Sequence, residues 1–129
     1  GEDFIAGLLR DFLREIPRRR DNLAEAHRRR DNPTLQRLAH ALQGESGNLG
    51  AHGLARACAS LHRAVSDGAD VDGAIARVFA ALTASERALS SRLIGLSAAR
   101  GGPTTAHRLV GARSSELDPL TSADVVLAR

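Results

Sequence analysis

The fold is decided by residues 35–51, which read LQRLAHALQGESGNLGA. At about 100° of rotation per residue, the large apolar side chains of this stretch collect on one face of a helix. His40 lies about 140° from the centre of that face, so it is predicted to face water. The stretch therefore predicts an amphipathic helix that presents an imidazole to solvent. The side chains predicted to face the core are Leu35, Leu38, Ala39, Leu42, Ser46 and Leu49.

Two glycines follow His40 on its own face of this helix. Gly44 and Gly47 lie one and two turns after His40, and a glycine inside a helix costs about 1 kcal/mol relative to alanine. Helix stability does not explain that choice, whereas a missing side chain lets another surface approach a ring nitrogen closely. The pattern favours a docking surface around His40 that includes Gln36 and Gln43. An incidental surface histidine is the alternative.

Apolar residues at helical spacing continue on both sides of this helix. Residues 3–31 carry one amphipathic pattern that Pro17 interrupts, which predicts either a kinked helix or a short first helix followed by a longer one. Helices joined by short connections pack as antiparallel neighbours. The predicted boundaries are Asp31 or Asn32 with Pro33 for the second helix, Gly50 to Gly53 and Gly68 for the third, and Asp70 or Asp72 for the start of the fourth.

These elements predict an all-α chain. Residues 1–100 are expected to form an antiparallel four-helix bundle, with a short extra N-terminal helix as an option at Pro17. Gly101-Gly102-Pro103 ends the pattern, and residues 101–129 are expected to form a largely irregular or flexible C-terminal tail.

Composition excludes several other classes. Aromatic residues make up only 2% of the chain, which disfavours an all-β fold. No stretch approaches 18 uninterrupted apolar residues and no signal peptide opens the chain, so no direct membrane contact is expected. Cys58, the single cysteine, excludes an internal disulfide and a cysteine-based zinc site, and its spacing places it in the core. The histidines show no metal-ligand spacing, so no metal is expected.

The net charge of +3 raises nucleic acid as a partner. All 18 basic residues are arginines, and they cluster at residues 18–20 and 28–30. Acidic residues interleave with these runs, and Tyr and Trp for base stacking are missing. A solvated helix face therefore explains the arginine runs better, and no nucleic acid is expected.

Residues 40–51, HALQGESGNLGA, closely resemble the histidine phosphotransfer (Hpt) domains of bacterial multistep phosphorelays. Residues 12–17, FLREIP, also resemble the opening helix of that family, and the resemblance covers residues 3–96. It implies a four-helix bundle whose exposed histidine exchanges phosphoryl groups with receiver-domain aspartates. By that match, His40 is the phosphoacceptor.

The sequence departs from the family pattern at three positions. Family members usually carry Lys three residues after the histidine, where this chain has Gln43. A small hydroxyl residue often follows the glycine, where this chain has Glu45. A Glu or Gln commonly lies 22 residues after the histidine and hydrogen-bonds its other ring nitrogen, where this chain has His62. Arg37, one turn before His40, is a candidate source of positive charge.

The resemblance also predicts the setting of the chain. It implies a phosphocarrier with no kinase site and no cofactor of its own, whose partner receiver supplies Mg²⁺. The expected partners are receiver domains of response regulators and of a hybrid kinase. Because the chain does not begin with Met, we expect a piece of a longer protein, such as the C-terminal module of a hybrid sensor kinase at the cytoplasmic side of an inner membrane. The alternative is a docking module that binds a receiver or a kinase without efficient transfer.

Overall fold

Four α-helices make up the part of the chain that the computed structural model describes, residues 2–101, with side chains placed from residue 3 to residue 99. α1 spans Glu2–Arg28, α2 spans Asn32–Asn48, α3 spans His52–Asp67 and α4 spans Val71–Gly101. No strand occurs within these residues, so the predicted all-α, four-helix fold is confirmed. The predicted tail beyond Gly101, including His107, lies outside the described residues.

The helices fall into two compact units. One contains α1 up to Leu13 and α4 from Glu86, and the other contains residues 14–85, which include all of α2 and α3. The second unit carries His40, and all four helices supply its core. The buried apolar residues of the first unit are Ala6, Leu9, Phe12 and Leu89; those of the second are Ile16, Leu23, Ala26, Leu35, Ala39, Leu42, Leu54, Cys58, Leu61, Val65, Ala74, Ile75, Val78 and Leu82.

α1 continues through Pro17 as one helix, so the optional short first helix does not occur in the described residues. Pro17 has no N–H to donate to the carbonyl of Leu13, and an internal proline costs about 3 kcal/mol. Its side chain is exposed, while Ile16 and Leu23 are 1% exposed. Burial of each large apolar side chain stabilises the fold by about 1.5–3 kcal/mol. The buried stripe on both sides of Pro17 therefore outweighs the missing hydrogen bond.

Aspartates cap two of the helices, as predicted. Asp31 Oδ1 accepts a hydrogen bond from the Thr34 N–H at 3.2 Å, and Asp31 Oδ2 accepts one from the Thr34 hydroxyl at 2.7 Å. The hydroxyl bond first, and the backbone bond second, lower the pKa of Asp31. Asp70, one of the two candidates, caps α4 by accepting from the Gly73 N–H at 3.2 Å. Such bonds satisfy amides that a helix start leaves unpaired.

α2 and α3 are joined by three residues, 49–51, and pack side by side. A connection this short makes the two helices antiparallel. Gln36 Nε2 of α2 donates a hydrogen bond of 2.6 Å to Ser66 Oγ of α3. His40 lies one turn after Gln36 on α2, and His62 lies one turn before Ser66 on α3. Because the helices are antiparallel, the same register brings His40 opposite His62.

Cys58 occupies the core of α3, as predicted. Its side chain is 0% exposed, and it lies on the same buried face as Leu54 and Leu61. Burial raises the pKa of the Cys58 thiol to about 12, because a thiolate loses its hydration in an apolar core. The cysteine therefore packs as a small apolar residue.

Candidate functional site

α2 buries one face and exposes the other. Leu38 and Leu49 were predicted to face the core, but they are only half-buried because they lie at the edges of the apolar stripe. His40 is exposed, as its position on the helix predicts. The buried residues are Leu35, Ala39, Leu42 and Ser46, and the exposed residues near His40 include Arg37, Ala41, Gly44 and Gly47.

Ser46 is the polar side chain on the buried face of α2. Its Oγ donates a hydrogen bond of 2.6 Å to the carbonyl of Leu42, one turn earlier. The hydroxyl is thereby satisfied within its own helix and requires no polar partner from another one. The core face of α2 can then pack tightly, which fixes the orientation of the opposite face that carries His40.

His62 of α3 is the aromatic neighbour of His40. The two ring centroids are 6.2 Å apart and the ring planes are tilted by 56°, while His62 is half-buried. A nitrogen lies only about 1 Å from the centroid of an imidazole, so a ring-to-ring hydrogen bond of about 3 Å requires centroids within roughly 5 Å. The two rings are therefore too far apart for His62 to hydrogen-bond His40 directly, unlike the Glu or Gln that the family pattern has at this position.

Gly44 and Gly47 leave open space beside His40. Both are exposed, and a Cβ built on either glycine meets no heavy atom within 4 Å. Core packing therefore does not require a glycine at either position. The space next to the imidazole is consistent with the predicted docking surface, because a partner could approach α2 at its backbone.

Gln43 and Arg37 occupy different surroundings. Gln43 is half-buried, whereas Arg37 is exposed. Arg37 lines a groove of about 270 Å³ together with Glu25 of α1 and with Arg29, which follows the end of α1. The structure thus brings Gln36, His40 and His62 to the side of α2 that contacts α3, and it places Arg37 on the side that faces α1.

Glu45 makes a contact that the sequence did not predict. Arg19 Nη2 of α1 donates to Glu45 Oε2 at 2.5 Å, with 24% of the Arg19 side chain and 40% of the Glu45 side chain exposed. Arg19 Nε and Glu45 Oε1 are buried and have no hydrogen-bond partner among the described residues. Arg19 had been interpreted as part of a solvated arginine run. The available signal was the position of Glu45, about 140° around α2 from His40.

The other described histidines do not join this site. His27 Nε2 lies 2.6 Å from Asp72 Oδ1, and this hydrogen bond, followed by the charge of His27, lowers the pKa of Asp72. Both residues line a cavity of about 190 Å³ at the start of α4. His52 is exposed in the first turn of α3. Within the described residues, no group of three or more His, Cys, Asp or Glu side chains is placed to hold a metal ion.

Fold and site together define a helical bundle with His40 exposed on α2 beside two open glycines. The family model of the Hpt domain matches residues 7–99, and the chain belongs to that family. A search of curated proteins and a search of solved structures each return no match.

Membership fixes the general chemistry. Hpt domains carry phosphoryl groups in histidine–aspartate phosphorelays, they interact with receiver domains, and they hold no kinase site. None of the helices in the described part of the chain is both long and apolar enough to span a membrane.

Proposed function

We propose that this chain is a phosphorelay intermediate that accepts a phosphoryl group on His40 from the aspartate of one receiver and passes it to another receiver. The observation that carries the proposal is the exposure of His40 on a firmly packed helix beside two open glycines. Gln36, Gln43, Gly44 and Gly47 form the surface on which the receiver would dock, and His62 supports the phosphoryl site.

Phosphoryl transfer requires only a nucleophile from this chain. A neutral imidazole is a competent nucleophile, and histidine changes charge between about pH 5 and 8. The lone pair of one ring nitrogen attacks phosphorus, the phosphorus–oxygen bond of the acyl phosphate breaks, and the aspartate leaves as a carboxylate with that electron pair. The proton on the other ring nitrogen stays in place. The receiver contributes Mg²⁺ and the charge stabilisation that in-line transfer requires.

Positioning of the nucleophile matters more here than its intrinsic strength. Phosphoryl transfer depends mainly on positioning, and α2 is held by its buried face and by the Gln36–Ser66 hydrogen bond. His40 therefore enters the complex with its backbone already placed.

The test uses radiolabelled phosphoryl groups. A set of phosphorylated receiver domains is mixed with this chain and Mg²⁺, and acid-labile label on the chain is followed. His40→Gln should take no label, with a change in unfolding free energy of only about 0.5 kcal/mol because His40 faces solvent. His52→Gln, which replaces another exposed histidine, should be labelled like the wild type. Label that survives His40→Gln would overturn the assignment.

A second candidate function is a docking module without efficient transfer. It is favoured by Gln43, which offers only a neutral amide near His40, and by the failure of His62 to hydrogen-bond His40. Such a module would bind a receiver, detectable by calorimetry, without acquiring label. Label on His40 decides between the two.

A further inference from the structure

A second histidine lies beside His40 in this structure. His62 lies across the α2–α3 contact with its ring centroid 6.2 Å from that of His40. Gln36 and Gln43, the neighbours of His40 on one side of α2, are neutral amides. Arg37, one turn before His40, carries a fixed positive charge and lines the groove on the side of α1. A phosphoryl group on His40 would add about two negative charges to this surface.

The gap between the rings fits a phosphoryl group better than it fits a direct ring contact. The rings are too far apart for an N–H···N bond, but a phosphoryl group extends His40 toward its neighbour by two further bonds. A ring N–H of His62 can then donate a hydrogen bond of about 2.8 Å to a phosphoryl oxygen, and this bond covers the rest of the distance between the two rings. His62 is half-buried, which reduces the screening of that interaction by solvent.

Few other charges compete for His62. On α2, which packs against α3, the charged or titratable side chains are Arg37, His40 and Glu45. Arg37 lines the groove beside Glu25 and Glu45 pairs with Arg19, while the neutral Gln36 is bound to Ser66. On α3 itself, Arg56, Arg63 and Asp67 lie about 100° or more around the helix axis from His62, and Arg63 donates to Ser60.

Several charged groups on the other helices pair with residues other than His62. At the start of α4, Asp72 pairs with His27, and Arg77 lies 3.9 Å from Asp70. On α1, Arg19 pairs with Glu45.

We propose that His62 is the proton-dependent cation of the phosphohistidine site: protonated His62 donates a hydrogen bond to the phosphoryl group on His40. The inference rests on the proposed function of His40. The transfer step itself is unchanged, and His62 takes its proton from solvent when His40 becomes phosphorylated. The share of phosphoryl groups held by this chain therefore rises as pH falls through the range in which histidine titrates.

The test measures how label partitions at equilibrium between one receiver and this chain, from about pH 8 to about pH 6. Wild type is compared with His62→Gln, which is always neutral, and with His62→Lys, which is always charged. Dividing each partition by that of His62→Gln removes the pH dependence of the receiver and of His40. The wild-type ratio should rise by about three- to fivefold over this range, the gain expected of a partly exposed ion pair. His62→Lys should keep the high ratio throughout.

Ser66→Ala is the matched control, because it removes a contact one turn from His62 without changing any charge. It should follow the wild-type pH profile, and circular dichroism should show every variant folded. If His62→Lys unfolds, His62→Arg takes its place. A wild-type profile that matches His62→Gln at every pH overturns the proposal while leaving His40 as phosphoacceptor. A wild type that takes no label overturns the proposed function, and this proposal with it.

Discussion

The core-facing and solvent-facing sides of α2 differ in what a side chain there contacts. Leu42 and Ser46 are buried, and the Ser46 hydroxyl is bonded to the carbonyl of its own helix. Gly44 and Gly47, on the other side, have nothing within 4 Å of a built Cβ. Substitutions on the first side should change folding and leave transfer intact, whereas substitutions on the second should do the reverse. The difference predicts that α2 separates stability from transfer chemistry on its two opposite faces.

Leu42→Ala should give the largest effect, and it should be an effect on stability. Removing a leucine that is 2% exposed leaves a cavity and costs about 2–5 kcal/mol of unfolding free energy. Denaturant unfolding followed by far-UV circular dichroism measures it. Below its lowered melting temperature, the variant should still take label at His40. Loss of transfer in the folded variant would show that the two sides of α2 are not independent.

Gly44→Leu should slow phosphoryl transfer at least tenfold while making α2 slightly more stable. Leucine raises helix propensity by up to about 1 kcal/mol, and the position is open, but a branched side chain there would obstruct a partner that approaches His40. The rate of label transfer from a receiver measures this. Gly95→Leu, at an equally open helical glycine of α4, is the control and should transfer normally. A wild-type rate for Gly44→Leu would remove the argument from open space.

Gln43→Lys should shift the equilibrium partition of label toward His40 by a few-fold. A lysine beside phospho-His40 gains an exposed ion pair, and such pairs contribute below about 1 kcal/mol. Ala41→Lys adds the same charge at another exposed position of α2 and should change the partition less. If wild type takes no label and Gln43→Lys takes it readily, the natural chain is the docking module rather than a carrier.

Glu45→Gln should have the smallest effect. The carboxylate is paired with Arg19 of α1, on the side of α2 away from His40, so the partition of label should change less than twofold. Because 40% of the Glu45 side chain is exposed, the loss of unfolding free energy should stay below about 1 kcal/mol. A large change in partition would mean that Glu45 acts on the phosphoryl group.

Local signals in the sequence were enough to predict the helices. The helical spacing of apolar residues predicted the number of helices. Capping residues predicted where α2 and α4 begin, at Asp31 and Asp70. The predicted end of α2 near Gly47 lies within one residue of the observed end at Asn48. At Pro17 a local rule left two alternatives open, and burial on both sides of the proline decided between them.

Contacts between helices were harder to predict. The pairs Arg19–Glu45, Gln36–Ser66 and His40–His62 depend on the axial register of one helix against another. Hydrophobic periodicity fixes how a helix is rotated but says nothing of how far it is shifted along its neighbour. The exposure of His40 and its neighbours on α2 were therefore predictable from the sequence, and the family resemblance singled out His62. The contacts Arg19–Glu45 and Gln36–Ser66 were not predicted.

The buried thiol of Cys58 has a practical consequence for these measurements. The chain contains neither Trp nor Tyr, so its unfolding produces little change in intrinsic fluorescence. Only the thiolate reacts rapidly with alkylating reagents, and burial with a pKa of about 12 keeps Cys58 unreactive in the native state. Unfolding exposes this single cysteine and restores ordinary reactivity. The fraction of chain alkylated in a short pulse therefore reports the unfolded population of every variant, without any added probe.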